Sequence, residues 1–194
     1  PSLKLPVPVS FEFFPPNTEA GSEKLKTVVR ELGSAAPEFF SVTYGAGGST
    51  RDRTLSTVRD IAALGFEAAP HLSCVGSTRA GIAEIRASYR AQNIRRLVAL
   101  RGDLPSGTAT AGEFRYANEL IAFVRETQGT DLRIEVAAYP EYHPQQRYAR
   151  RDLQHFANKM KAGADAAITQ FFYNPDAYFH FLDEVRALGV DAPI

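Results

Sequence analysis

Leu97-Val98-Ala99-Leu100-Arg101-Gly102-Asp103 runs from four apolar residues straight into two opposite charges split by a glycine. A short apolar run with such an ending reads as a buried strand whose polar groups stand at its C-terminal end. The same pattern recurs along the chain. Val9–Phe14, Phe39–Tyr44, Ala68–Ser73, Leu97–Arg101, Ile134–Tyr139 and Ala167–Phe172 each read as a strand, and the first four start at 9, 39, 68 and 97. That spacing is the length of a strand plus a helix. The strand ends carry Glu12, Thr43 with Tyr44, His71, Arg101 with Asp103, Tyr139 with His143, and Gln170.

Helical periods fill the intervals. Leu25, Val28, Val29 and Leu32 form one apolar stripe, and Ile82, Ile85 and Tyr89 another. Leu120, Phe123 and Val124 follow, then Leu153, Phe156 and Met160, then Tyr178, Phe181, Leu182 and Val185. Thr18, Thr50 and Thr78 stand where helices should begin and can cap free N–H groups. Gly33, Gly65, Gly163 and Gly189 stand where helices should end in a left-handed residue.

Strict alternation of strand and helix implies a parallel sheet covered by helices. An open doubly wound sheet gathers its ligand at one switch point, whereas a barrel brings every strand end to one mouth. Polar residues on six strand ends predict an α/β fold of the (β/α)8 TIM barrel type. Residues 1–194 read as a single catalytic barrel domain holding about the first six units, with a seventh strand expected to start at Asp191-Ala192-Pro193-Ile194. The two later strands are then expected outside this stretch.

Composition narrows the function. Apolar residues make up 44% and charged residues 23% of the 194, as in an ordinary globular protein. Lys plus Arg equals Asp plus Glu at 22 each, which gives no footprint for nucleic acid. No apolar run reaches the length of a membrane span and no signal-peptide pattern opens the chain. The single cysteine, Cys74, excludes an internal disulfide framework and fits a reducing, cytoplasmic setting. It reads as a buried small hydrophobe. The four histidines have no metal-ligand spacing, so no metal site is expected.

The strand ends hold the candidate chemistry. In Ser10-Phe11-Glu12-Phe13-Phe14-Pro15-Pro16, alternation turns Phe11 and Phe13 towards the helices and Glu12 towards the lumen. A carboxyl in such a setting is expected to have a raised pKa, as a general acid needs; pairing with Arg101 is the alternative. Thr43-Tyr44-Gly45-Ala46-Gly47-Gly48 lets backbone approach an anion, or is simply a tight turn. Arg101 and Asp103 either hold a ligand or pair with each other. Asp152, His155 and Lys159 share one helix face, which on spacing alone favours a solvated face over a ligand wall. Gln170 is expected inward beside bulky aromatics.

Together these stretches resemble methylenetetrahydrofolate reductase. They are Ser10–Pro16, Ser41-Val42-Thr43-Tyr44-Gly45-Ala46-Gly47-Gly48-Ser49-Thr50, Pro70-His71-Leu72-Ser73-Cys74, Leu100-Arg101-Gly102-Asp103-Leu104-Pro105, Ala137-Ala138-Tyr139-Pro140-Glu141, and Lys159 through Ile168-Thr169-Gln170-Phe171-Phe172, in family order. The resemblance implies a barrel that holds FAD at its mouth, is reduced by NADH or NADPH, and then passes hydride to methylenetetrahydrofolate. It implies Glu12 as general acid and Asp103 as the group that steadies the cationic folate and tunes the flavin. Substrate would meet Glu12, Asp103 and Gln170. For FAD it implies Thr43, Tyr44, Ala46, His71, Arg101, Gly102 and Asp103 from the first four strands. Ala117, Tyr139, His143, Asp152, His155 and Lys159 would follow from the later units. His155 stands where bacterial members are expected to carry asparagine. The resemblance also implies a homo-oligomer acting on small molecules in one-carbon metabolism. Two other readings are compatible with the residues: a non-catalytic flavin-binding fragment, and a flavin-free barrel lyase or methyltransferase.

Overall fold

The computed structural model describes residues 7–45, 50–103, 112–141 and 149–194. Strands and helices alternate as β1 (Ser10–Phe13), α1 (Glu19–Gly33), β2 (Phe39–Val42), α2 (Arg51–Ala63), β3 (Ala68–Ser73) and α3 (Arg79–Ala91). They continue as β4 (Arg96–Leu100), α4 (Ala117–Gln128), β5 (Arg133–Ala138), α5 (Ala149–Lys161), β6 (Ala166–Thr169) and α6 (Pro175–Ala187). All six expected strands are present, each with its ends within two residues of the expected ones except at the C-terminal end of β6.

The strands pair in parallel and in chain order, β1 through β6. A doubly wound sheet would reverse its order part-way. Uniform right-handed crossovers instead lay every helix on one side, and the sheet curls into a half-barrel. After α6 the chain returns to the free edge of β6, where Ala167 N donates to Pro193 O at 2.9 Å. This is the place expected for a seventh strand.

Residues of β2 and β3 are buried on both sides, as central parallel strands should be. The helix-facing core centres on Phe40, whose ring stacks on Phe11 and Phe13 at 5.8 Å and meets the edge of Phe66 at 5.3 Å. The opposite, lumen face carries a smaller apolar cluster of Phe39, Ala69, Val98 and Leu100. Below it lies a charged floor. Arg96 binds Glu67 at 2.9 Å and Glu135 at 2.6 Å, with its guanidinium 4.3 Å over the Phe39 ring. Arg133 completes the floor at 3.0 Å from Glu135. Both Arg96 and Glu135 are buried, so each charge depends on its partner. The polar residues free to meet a ligand are therefore those at the other end of the strands.

Local signals held at some termini and failed at others. Thr18 and Thr78 cap α1 and α3 through bonds from Gly21 N and Gly81 N, each at 3.1 Å. Thr50 does not cap α2; its hydroxyl accepts from Gly45 N at 2.7 Å and ties down the loop after β2. Gly65, Gly163 and Gly189 have positive φ as expected, but Gly33 remains helical. Its reason is space, since a Cβ there would lie 2.3 Å from Cζ of Phe66. Among the described residues no helix is long and apolar enough to cross a membrane.

Candidate active site

The C-terminal ends of β4 and β5, the first turn of α4 and one face of α5 enclose a cavity of about 440 Å³. Arg101, Gly102 and Asp103 enter it from β4, Ala117 from α4, and Tyr139 from β5. Asp152, His155 and Lys159 enter from α5. The solvated-face expectation for that helix is thus overturned: α5 packs beside α4, and the stripe falls on the cavity instead of the bulk solvent. Gly102 is required for the wall. It has φ +79, and a Cβ would stand 2.7 Å from Cβ of Ser73 on the neighbouring strand.

Sequence reading missed Tyr116 and Asn118 on this cavity. Tyr116 is the residue preceding the first turn of α4, and its ring stacks on His155 with centroids 5.3 Å apart and planes 23° off parallel. The signal available was position alone, since residues at a helix N-terminus facing a strand end meet any anion bound there. A neighbouring cavity of about 310 Å³ shares Tyr139 and Asp152 and runs against α6.

The electrostatics favour an anionic ligand. Burial pushes the Lys159 ammonium down to about 8, and Asp152 only partly opposes this. The ammonium donates to the Ala137 carbonyl. With Arg101 and the N-terminus of α4 on the same cavity, the donors fit a phosphate-bearing group. Burial also pushes the Tyr139 phenol up, reinforced by the carboxylates of Asp152 and Asp103. No Arg101–Asp103 ion pair is found among the described residues. Cys74 lies beneath the cavity floor with Sγ 3.7 Å from the carbonyls of both Arg101 and Tyr116. Burial pushes its thiol up to about 12, which leaves it inert as a nucleophile.

Glu12 and His71 form a separate pair on the lumen side. His71 Nε2 stands 3.3 Å from Glu12 Oε2, with the imidazole buried and the carboxyl half-exposed. The contact is close but poorly aligned as a hydrogen bond. His71, helped by Ser41, holds the Glu12 carboxyl below its usual value against the opposing effect of burial. The raised value expected from sequence is corrected: the His71 contact outweighs burial, and His71, not the alternative Arg101, is the partner.

Thr43 and Tyr44 lie at the end of β2, away from the cavity. Thr43 O accepts from the Thr54 hydroxyl at 2.8 Å, and burial pushes the Tyr44 phenol up. Gln170 is exposed, and its Oε1 accepts from Phe171 N at 3.1 Å. Beside it Phe171 and Tyr173 are also exposed. Ala46 and His143 lie outside the described residues. One cavity therefore unites Arg101, Gly102, Asp103, Ala117, Tyr139, Asp152, His155 and Lys159, while Glu12, His71, Thr43, Tyr44 and Gln170 occupy other strand ends around the same mouth.

The model of the methylenetetrahydrofolate reductase family matches residues 4–194. The chain belongs to the methylenetetrahydrofolate reductase family. The 5,10-methylenetetrahydrofolate reductase of Salmonella typhimurium is 44% identical over 187 residues, 96% of this chain and 62% of that protein. An Arabidopsis thaliana protein, methylenetetrahydrofolate reductase (NADH) 1, is 36% identical over 95% of this chain and 34% of its own length. The chain thus spans about three-fifths of its bacterial relatives. Among solved structures, a Clostridium thermocellum protein that binds two copies of 5-methyl-5,6,7,8-tetrahydrofolic acid superposes with TM-score 0.62 at 14% identity. The match covers 94% of this chain and 60% of that one. Deoxyribose phosphate aldolase from Aeropyrum pernix gives TM-score 0.60 at 13% identity, covering 94% and 73%. At such identities the likeness is one of fold, and both support a barrel-type half-sheet.

Proposed function

We propose that this chain carries the flavin site of a methylenetetrahydrofolate reductase and acts, within the complete eight-unit barrel, in NAD(P)H-driven reduction of methylenetetrahydrofolate to methyltetrahydrofolate. Family membership gives the reaction class. The observation that carries the cofactor is the single cavity joining a partly buried lysine, Arg101, the α4 N-terminus and the Tyr139–Asp152–Asp103 group. Bound FAD would supply a two-electron hydride carrier, taking hydride from the nicotinamide and giving it to folate in turn.

The chain's own residues supply the rest. Lys159 and Arg101 would hold the diphosphate and Asp152 the ribose hydroxyls, since all three line the one cavity. Asp103 stands at the end of β4, where its carboxylate offsets positive charge developing on the folate. Glu12 delivers a proton to the folate nitrogen as the five-membered ring opens. In the open mouth His71 keeps Glu12 ionised. A pterin laid over this half-exposed carboxyl would exclude water and drive its pKa up, so the proton needed for ring opening is stabilised only with substrate in place.

Replacing Glu12 by glutamine separates the two half-reactions. Folate reduction is expected to fall on the order of 10²- to 10⁴-fold, while reduction of the flavin by NADH continues. Rapid-mixing absorbance of each half-reaction reads both rates. Near-normal folate turnover in Glu12→Gln would remove the carboxyl from the proposed role.

A further inference from the structure

The end of the half-barrel opposite the mouth holds a separate cavity of about 230 Å³, before the N-terminal ends of β4 and β5. Arg86 and Arg90 reach it from α3, Arg95 from just before β4, and Asp131 from the turn before β5. Three guanidiniums thus line it against one carboxylate among the described residues. Arg86 and Arg90 stand four apart on the helix, where like charges repel, and no acid lies three or four positions from either. An arginine in the last turn of a helix ordinarily serves the free carbonyls there. Here the turn itself has used them. Tyr89 O accepts from Gln92 N and Ile94 N at 3.1 Å, and Arg90 O accepts from Asn93 N at 3.0 Å. That turn places Asn93 at φ 57, and its Oδ1 accepts from Arg95 Nε at 3.0 Å, which holds the third guanidinium beside the cavity. Arg86 is buried beneath the other two; burial pushes its pKa down to about 10, and the Arg125 guanidinium presses the same way. Ile94 and Leu132, both buried, form the apolar wall, beside which charges attract more strongly than in bulk water.

We propose that this cavity is an anion site for a phosphate group, either the free ion or the terminal group of a small phosphorylated metabolite. Planar guanidinium forks match phosphate oxygens in pairs. Arg90 and Arg95 grip the oxygens at the exposed rim, and Arg86 supplies charge from below. The bound anion removes the mutual repulsion of the three arginines, so its binding favours the folded chain. Arg95 and Leu132 directly precede Arg96 and Arg133 of the lumen floor, so the anion also braces the two turns that set that floor. The site shares no residue with the cavity of Lys159 and Arg101, and it stands whether or not that cavity takes a flavin.

The test is calorimetric titration of the chain with inorganic phosphate at neutral pH, chloride holding the ionic strength constant, and with glycerol phosphate in parallel. Phosphate is expected to bind with a Kd on the order of 1 mM. Arg90→Gln and Arg95→Gln change exposed side chains and should stay folded by circular dichroism, yet each should weaken phosphate on the order of tenfold. Arg30→Gln, at an exposed position of α1 away from the cavity, should bind as the unaltered chain does. Tighter binding of glycerol phosphate than of phosphate identifies a phosphoester as the ligand, and equal or weaker binding identifies the free ion. Absence of phosphate binding, or equal binding by the unaltered chain and both cavity variants, would overturn the proposal. Binding lost in Lys159→Met but kept in Arg90→Gln would move the anion to the mouth and overturn it as well.

Discussion

Replacing Lys159 with methionine is expected to make the ligand-free protein more stable at neutral pH and to lose that advantage in alkali. The ammonium donates to Ala137 O and lies 5.5 Å from the Phe156 ring centroid, with burial holding its pKa at about 8 against an ordinary 10.5. A displacement of that size corresponds to about 3 kcal/mol spent keeping the proton at pH 7. Methionine retains most of the stem and its packing but leaves Ala137 O without its donor, a loss of about 1 kcal/mol. The net gain at pH 7 is then about 2 kcal/mol. The sign follows from proton counting. Between about 8 and 10.5 the unfolded chain binds the Lys159 proton and the folded chain does not, so wild-type stability rises with pH across that window. The variant lacks this rise, and its advantage should shrink from pH 8 and reverse by about 1 kcal/mol near pH 10.5. Urea unfolding of both proteins at a series of pH values reads the difference, in which contributions from tyrosines and Cys74 cancel. A difference that stays flat from pH 7 to 10, or a variant less stable at pH 7, would refute the assignment of a desolvated ammonium. Added FAD should turn the ranking around, because the wild type alone gains the diphosphate contact.

Gly102→Ala should cost about 1–3 kcal/mol in unfolding free energy, since a positive φ and the Ser73 side chain both oppose a Cβ. It should also lower flavin uptake, which spectral titration reads. Arg96→Leu should destabilise by about 1–3 kcal/mol in denaturant unfolding, because it leaves the buried Glu135 with only the half-exposed Arg133 as partner. A smaller effect, under about 1 kcal/mol, would mean that the charged floor is solvated.

Much of the fold was legible because βα units punctuate themselves. Apolar runs of strand length, helical stripes and strand-end polar residues all agreed, and each of the six strands appeared where expected. Chain order in the sheet then follows from the handedness of crossovers. The site was legible one residue at a time but not as a grouping. Spacing placed Asp152, His155 and Lys159 on one face of α5 without telling whether water or a cavity lay opposite; only the packing of α5 against α4 decided that. The environment of Glu12 was misread because its pKa depends on His71, which lies 59 positions away. Thr50 and Gly33 show the same limit at smaller scale. Each has the residue type for a helix end, and each answers instead to a tertiary neighbour, Gly45 in one case and Phe66 in the other. The charged floor of Arg96, Glu67 and Glu135 escaped for a related reason: its members sit at strand N-termini, where charges normally face solvent.

The most direct test of the flavin reading is the visible spectrum of the purified chain under anaerobic conditions, with FAD supplied, before and after adding NADH and then NADPH. A protein-bound flavin spectrum that bleaches with either nucleotide is the expected result and would establish both the cofactor and the reductive half-reaction. A colourless protein that retains no FAD on the Lys159–Arg101 cavity would contradict it.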